Sequence, residues 1–299
     1  MNEAPFRKVV GSVVQNRIRC HLTGLLLLIP PLSAASLIQD RSQGLDAYSF
    51  DETSATRWKL PTRLREISGL ATTPDDRLFG HDDERAVIYE MDYDAGKLVK
   101  AFAMGEKPAQ ADFEGIAVVG DRFYLVTSWG RVYESFEGAD AERMLYNTYD
   151  TGAGKKCEIE GLTYEPSDNT LLLLCKNPRV AELKDRVSIF KWSLEDRLAV
   201  NQPSIQIPLD AFTGRIDKKD FQPSAIDRNP ATGTYFIVAA RQEAIAEITP
   251  QGEVLSVREF PKGYHQQAEG LAFLSDNRLI VADEGGHKRA RLTVYQPPR

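Results

Sequence analysis

The chain has 299 residues, 42% of them hydrophobic and 27% charged, with a net charge of −6. This balance supplies a sizeable apolar core and excludes a largely disordered chain. The negative charge argues against a nucleic-acid partner, because phosphate binding is driven by clustered Lys and Arg.

Residues 1–35 read as an export segment. Arg7, Lys8, Arg17 and Arg19 precede the apolar run 22–32, and Ser33-Ala34-Ala35 offers small residues where a signal peptidase cuts. Pro30 and Pro31 interrupt the run, which is shorter than the ~20 apolar residues of a membrane span. A cleaved signal peptide is therefore expected, with an uncleaved signal anchor extending through Ile38 as the alternative. Cys20 precedes the run and is not placed as a lipoprotein cysteine. Loss of the segment, which carries +3, moves the net charge from −6 to −9. Residues 36–54 read as a linker and 55–299 as a single domain.

From Glu66 onward the chain repeats one unit. Asp112-Phe-Glu114-Gly-Ile-Ala, Glu158-Ile-Glu160-Gly-Leu-Thr and Gln267-Ala-Glu269-Gly-Leu-Ala are clear copies. Glu66-Ile-Ser68-Gly-Leu-Ala and Gln222-Pro-Ser224-Ala-Ile-Asp are weaker ones. The equivalent positions lie 46, 46, 64 and 45 residues apart, the period of a propeller blade. Within each unit short β segments alternate with turn residues, as in a four-stranded blade. The second unit reads as strands over 114–119, 123–128, 132–136 and 144–149. The third is longer, and segments 177–185 and 211–220 read as loop growth. The fifth supplies only three strands, and Arg57-Trp58-Lys59-Leu60 is the expected fourth, closing the ring and removing its edges. The fold expected is all-β, a five-bladed β-propeller closed by an N-terminal strand, with six blades as the alternative.

In such a blade the start of strand one and the end of strand two share a face. Glu114, Glu160, Glu269, Ser68 and Ser224 then form an axial ring, with Glu66, Asp112, Glu158, Gln222 and Gln267 two positions earlier on the same side. Three carboxylates near one axis repel unless a cation neutralises them. Oxygen donors suit a hard ion, Ca²⁺ before Mg²⁺. The scattered histidines and the spacing of Cys157 and Cys175 give no zinc constellation. The competing reading is that Gly serves close packing while each Glu caps loop amides or binds water. Around the ring, Asp82, Asp83, Asp283, Glu284, Lys176 and Arg241 are candidate ligand-binding residues, against surface turns and mutual ion pairs. Trp129 reads as a packed blade aromatic or a stacking platform. Cys157 and Cys175 are a possible disulfide in an oxidising compartment, or two buried thiols.

These motifs, with Leu171-Leu-Leu-Leu-Cys-Lys176 and Ala282-Asp-Glu284 in order, resemble the SdiA-regulated, YjiK-like family of exported bacterial proteins over residues 55–296. The resemblance implies a five-bladed propeller with a calcium site and an N-terminal export or anchor segment. The fourth unit departs from the pattern, with Ser224 for Glu and Ala225 for Gly. More distant similarity to NHL-type, phytase-like and gluconolactonase-like propellers raises hydrolysis.

Two function classes follow. The first is an exported, periplasmic or secreted, calcium-binding propeller of the cell envelope that recognises a small molecule, glycan or envelope protein. It meets the membrane only through an uncleaved anchor, if one is kept. The second is a calcium-dependent hydrolase of a phosphoester or lactone, with His81, Asp82 or Asp283 handling the proton. Nothing in the sequence supplies a nucleophile elbow, a His-Glu-x-x-His helix or a phosphate loop.

Overall fold

The protein is described by a computed structural model over residues 41–297. The expected export segment, residues 1–35, lies outside the described residues. Five sheets, antiparallel but for one short parallel edge strand in the first, follow one another along the chain, each starting with its innermost strand. Their first strands are Ile67–Thr72, Phe113–Val119, Cys157–Glu165, Ala225–Arg228 and Ala268–Phe273. The five-bladed propeller is thus the fold, and the six-bladed alternative is not realised. Among the described residues no helix is long and apolar enough to cross a membrane.

Period-two alternation builds the core between blades rather than within them. In the second strand of the third blade, Thr170–Pro178, Leu171 and Leu173 pack toward the second blade with Tyr124 and Val126. Leu172 and Leu174 pack toward the fourth with Ile226 and Ile237. All four leucines are fully buried, each stabilising the ring by about 1.5–3 kcal/mol. A continuous apolar run is what a strand covered on both faces requires.

Closure follows the sequence expectation. Ala55–Lys59 pairs antiparallel with Arg291–Tyr295, with Trp58 opposite Leu292, and completes the fifth blade. The linker expectation for 36–54 is corrected over 41–54. That segment straps the fourth and fifth blades: Leu45, Tyr48 and Phe50 are buried. The Tyr48 hydroxyl donates to the Asn277 carbonyl at 2.6 Å, and Phe50 meets Phe260 and Tyr295 edge-on at 5.1 and 5.0 Å. Three apolar residues in a polar stretch carry no strand or helix period, so only tertiary packing reveals the strap.

The fourth strand expected over 144–149 is divided. Arg143–Met144 pairs in parallel with Lys97–Met104 of the first blade, and Tyr146–Asp150 completes the second. The extra length of the third unit is loop, as expected. It carries the turn Ala181–Leu183 and the short helix Asp210–Thr213, and residues 194–204 add a further excursion. Phe212 and Phe221, stacked at 4.6 Å, anchor the exit segment beneath the third and fourth blades. Cys157 and Cys175 form a disulfide, with Cα atoms 5.7 Å apart. Their positions look out of register in a simple hairpin, but register shifts at Glu158/Ile159 and Ile159/Gly161 bring them together.

Candidate metal centre

A β-bulge sets the axial glutamates. The first strand skips one pairing position at Glu114, Glu160 and Glu269, so that Phe113 and Gly115, Ile159 and Gly161, and Ala268 and Gly270 pair in succession. The bulged residue makes no ladder pair and its side chain is re-aimed. Ser68-Gly69 occupies a similar shift in the first blade, whereas the fourth blade starts its ladder at Ala225. The adjoining glycines pack the strands at the axis. A Cβ on Gly115 would lie 2.7 Å from the Leu162 amide nitrogen, and Gly69, at φ +88°, faces the Gly115 Cα. Close packing therefore accounts for the Gly of the motif.

It does not account for the Glu. One carboxylate oxygen from each of Glu114, Glu160 and Glu269 lies within 4.8 Å of the other two. Among the described residues no backbone amide donates to any of them. Lys176, at the end of the neighbouring strand, donates to Glu160 Oε1, while Glu160 Oε2 is buried with no partner. Burial and the neighbouring Glu160 and Asp112 push Glu114 up to about 9. Burial, opposed by Lys176, pushes Glu160 up to about 7. Glu269 is raised by burial and by Glu284 and Asp83, again against Lys176. Burial opposes the Lys176 charge, but Glu160, Glu269 and Glu114 outweigh it and raise that side chain. Three acids thus share one ammonium in a space of about 10 Å³, the volume of about one water or one monatomic ion.

The donor set fits a hard cation: carboxylate oxygens only, one of them buried and unpartnered. Ser68 and Ser224 do not line this cavity. The Ser224 hydroxyl donates to the Ala268 carbonyl at 2.7 Å and accepts from the Ala240 amide. It ties the fourth blade to the fifth.

The other expected ligand residues divide by partner. Asp82 closes a turn, accepting from the Glu84 and Arg85 amides and pairing with the Arg85 guanidinium at 3.1 Å. Asp283 Oδ2 meets His265 Nδ1 at 2.8 Å. Lys176 belongs to the axial cluster. Arg241 is exposed and makes no ion pair among the described residues. Asp83 and Glu284 come together with Glu66 between the first and fifth blades. Burial and then the charges of Asp82, Glu66 and Glu284 push Asp83 up to about 6, and burial and Glu66 raise Glu284. His81, expected as a rim base, is fully buried with its Nε2 against Gly69, and burial lowers it to about 4. It lies in the interior and is not a rim base. Of the two readings of Trp129 the packed blade aromatic is corrected: the ring is 65% exposed, with the Arg179 guanidinium 3.6 Å from its centre.

Sequence reading missed His265. It joins Asp283 to the Tyr295 hydroxyl, 2.8 Å from Nε2, and lies in the connection between the fourth and fifth blades. No repeat marks that position. At the far ends of the first strands lies a cavity of about 260 Å³ walled in part by Thr72, Pro74, Tyr164 and Phe273. Its acid, Asp227, already accepts from Thr163 at 2.7 Å and from the Phe273 amide at 2.9 Å.

Solved structures share the fold at low identity. A glutaminyl cyclase from Myxococcus xanthus is 14% identical, with a TM-score of 0.54 over 81% of this chain and 95% of that one. A PQQ-bound aldose sugar dehydrogenase from Streptomyces coelicolor is 14% identical, with a TM-score of 0.51 over 81% and 98%. A luciferin-regenerating enzyme is 10% identical, with a TM-score of 0.52 over 81% and 95%. These neighbours are enzymes, and at such identity the likeness is one of fold. No curated protein matches the chain by sequence. Residues 200–297 match the family described as SdiA-regulated, a propeller-type family, and it is the family that the chain's motifs resemble.

Proposed function

We propose that the protein is an exported propeller whose axial glutamates hold one Ca²⁺ ion, and whose acidic face recognises a ligand or partner at the cell envelope. The observation that carries this reading is the cluster of Glu114, Glu160 and Glu269, within 4.8 Å and without an amide donor. Bringing like charges together in a buried site costs free energy that a divalent ion offsets. A Ca²⁺ ion there would offset two of the three carboxylate charges and compete with Lys176 for Glu160.

The disulfide supports export. It staples the strand pair that bears Glu160 and Lys176, and such bonds persist in oxidising compartments. The basic and apolar N-terminal segment agrees with it. Binding is favoured over hydrolysis by space. About 10 Å³ at the axis accommodates an ion but no phosphoester or lactone beside it, and the fully buried His81 is shut off from any substrate.

The test is metal analysis of the purified protein, followed by thermal melts with and without chelator. Bound calcium together with a fall in melting temperature on chelation supports the reading. No bound metal and identical melts reject it.

A further inference from the structure

A second polar pocket, of about 220 Å³, lies off the axis over the fifth blade. One wall is the loop 284–290. Gly286 there takes φ +50°, and a Cβ on Gly285 would lie 2.5 Å from the Lys288 carbonyl oxygen, so this tight turn needs both glycines. The Lys288 amide donates to Gly285, and the Gly285 amide to Arg65, both at 2.7 Å. The loop is therefore pinned, and it brings His287 and Lys288 to the pocket edge beside Arg291.

The floor holds two unmet demands of opposite sign. The Asp283 side chain is only 7% exposed. Its Oδ2 is taken by His265 Nδ1 at 2.8 Å and by Arg57 at 3.4 Å, yet Oδ1 is buried without a partner. Arg57 is held by the Tyr264 carbonyl and stacks 4.0 Å from the Tyr264 ring centre, yet its Nε is likewise buried and unpartnered. A buried acceptor and a buried donor left open in one pocket are each unfavourable until a partner meets them. His265 is itself fixed by the Tyr295 hydroxyl at 2.8 Å, so Asp283 cannot turn away to satisfy itself. Among the described residues Arg291 and Lys288 pair with no carboxylate.

A simple anion would meet the cations and repel Asp283 and Glu284. A simple cation would do the reverse. A molecule that carries both charges about two bonds apart meets both ends. We propose that this pocket binds a small α-amino acid, its carboxylate on Arg57 Nε, Arg291 and Lys288 and its ammonium on Asp283 Oδ1 and Glu284. Charge-assisted hydrogen bonds at both ends give recognition of the zwitterion over either half. The site shares no residue with the axial cluster, so it stands independently of the Ca²⁺ reading.

The test is calorimetric titration of the full-length protein at fixed ionic strength with glycine, alanine and glutamate, beside acetate, glycolate and methylamine, each with Ca²⁺ and with chelator. Saturable binding of an amino acid, at least about tenfold tighter than each one-ended analogue, is expected, since each analogue forfeits a charged contact. Asp283→Asn should abolish it, but this change also touches His265 and risks the fold. Arg291→Gln decides the matter, with binding weakened about tenfold and the melting temperature unchanged. The proposal is overturned if no amino acid binds at millimolar concentration. It is equally overturned if acetate or glycolate binds as tightly as glycine, or if Arg291→Gln binds as the parent does.

Discussion

Lys176 donates to Glu160 Oε1, and this contact sets the charge of the whole axial cluster. One ammonium is shared by three carboxylates. A divalent ion entering the site must therefore compete with a lysine that is already in place. The internal cation offsets part of the carboxylate charge, and on the proposed reading it would also tune how tightly Ca²⁺ binds.

Substitution of that lysine separates the two effects. Lys176→Gln is expected to lower the stability of chelated protein by about 1–3 kcal/mol, the cost of leaving Glu160 without its charged donor. The same change should raise Ca²⁺ affinity. Urea denaturation in chelator and calorimetric Ca²⁺ titration measure the two. Unchanged affinity would mean that Lys176 does not contend for the ion's place.

Proton linkage gives a second expectation. Glu114 and Glu160 are raised in the fold from 4.5 to about 9 and about 7. A carboxyl raised by folding stabilises the native state below its unfolded value, and loses that contribution as pH rises through the folded one. Chelated protein should thus lose stability between about pH 5 and about pH 9, by up to about 1.4 kcal/mol per pH unit for each such group. Glu114→Gln should flatten the dependence, and Ca²⁺ should oppose it by taking the place of the protons. Urea midpoints across that range decide it; a midpoint that rises with pH in chelator contradicts the assignment.

Reduction of the disulfide is expected to act on stability and on the site together. Cys157 lies three residues before Glu160, and Cys175 immediately before Lys176. Closing a loop with a sequence separation of 18 stabilises by about 3 kcal/mol. Cys157→Ser with Cys175→Ser should lower the melting temperature and weaken Ca²⁺ binding. Affinity that stays constant while stability falls would show that the staple does not position Glu160.

Glu134 provides a contrast. It is 1% exposed. Burial opposes its charge, but hydrogen bonds from Tyr149 and Tyr124 and the charges of Arg197 and Arg122 win and hold it below the usual carboxylate range. Glu134→Ala removes the shared acceptor of two guanidiniums and two hydroxyls, and should cost about 1–3 kcal/mol, since both guanidiniums stay in reach of solvent. Ca²⁺ titration of the folded variant should match the parent. A changed affinity would tie this outer network to the axis, against its placement in the fold.

The ring itself was legible because a repeat states one local solution five times. Glu114, Glu160 and Glu269 share a bulge and a neighbouring glycine, so their convergence follows from phase alone. The strap at Leu45, Tyr48 and Phe50 and the network at His265 were not legible, since each is a single segment whose partners lie more than a hundred residues away or in an unrepeated turn. Asp82 and Asp283 repeat the position of a rim residue. Their immediate partners, Arg85 and His265, decide that one closes a turn and the other faces a pocket.

The most direct test of the axial site is calorimetric titration of chelator-stripped protein with Ca²⁺, for the parent and for Glu160→Gln. One ion bound per chain, with affinity reduced at least about tenfold in the variant, is the result expected from three converging carboxylates. No saturable binding to the parent, or equal binding to Glu160→Gln, would contradict it.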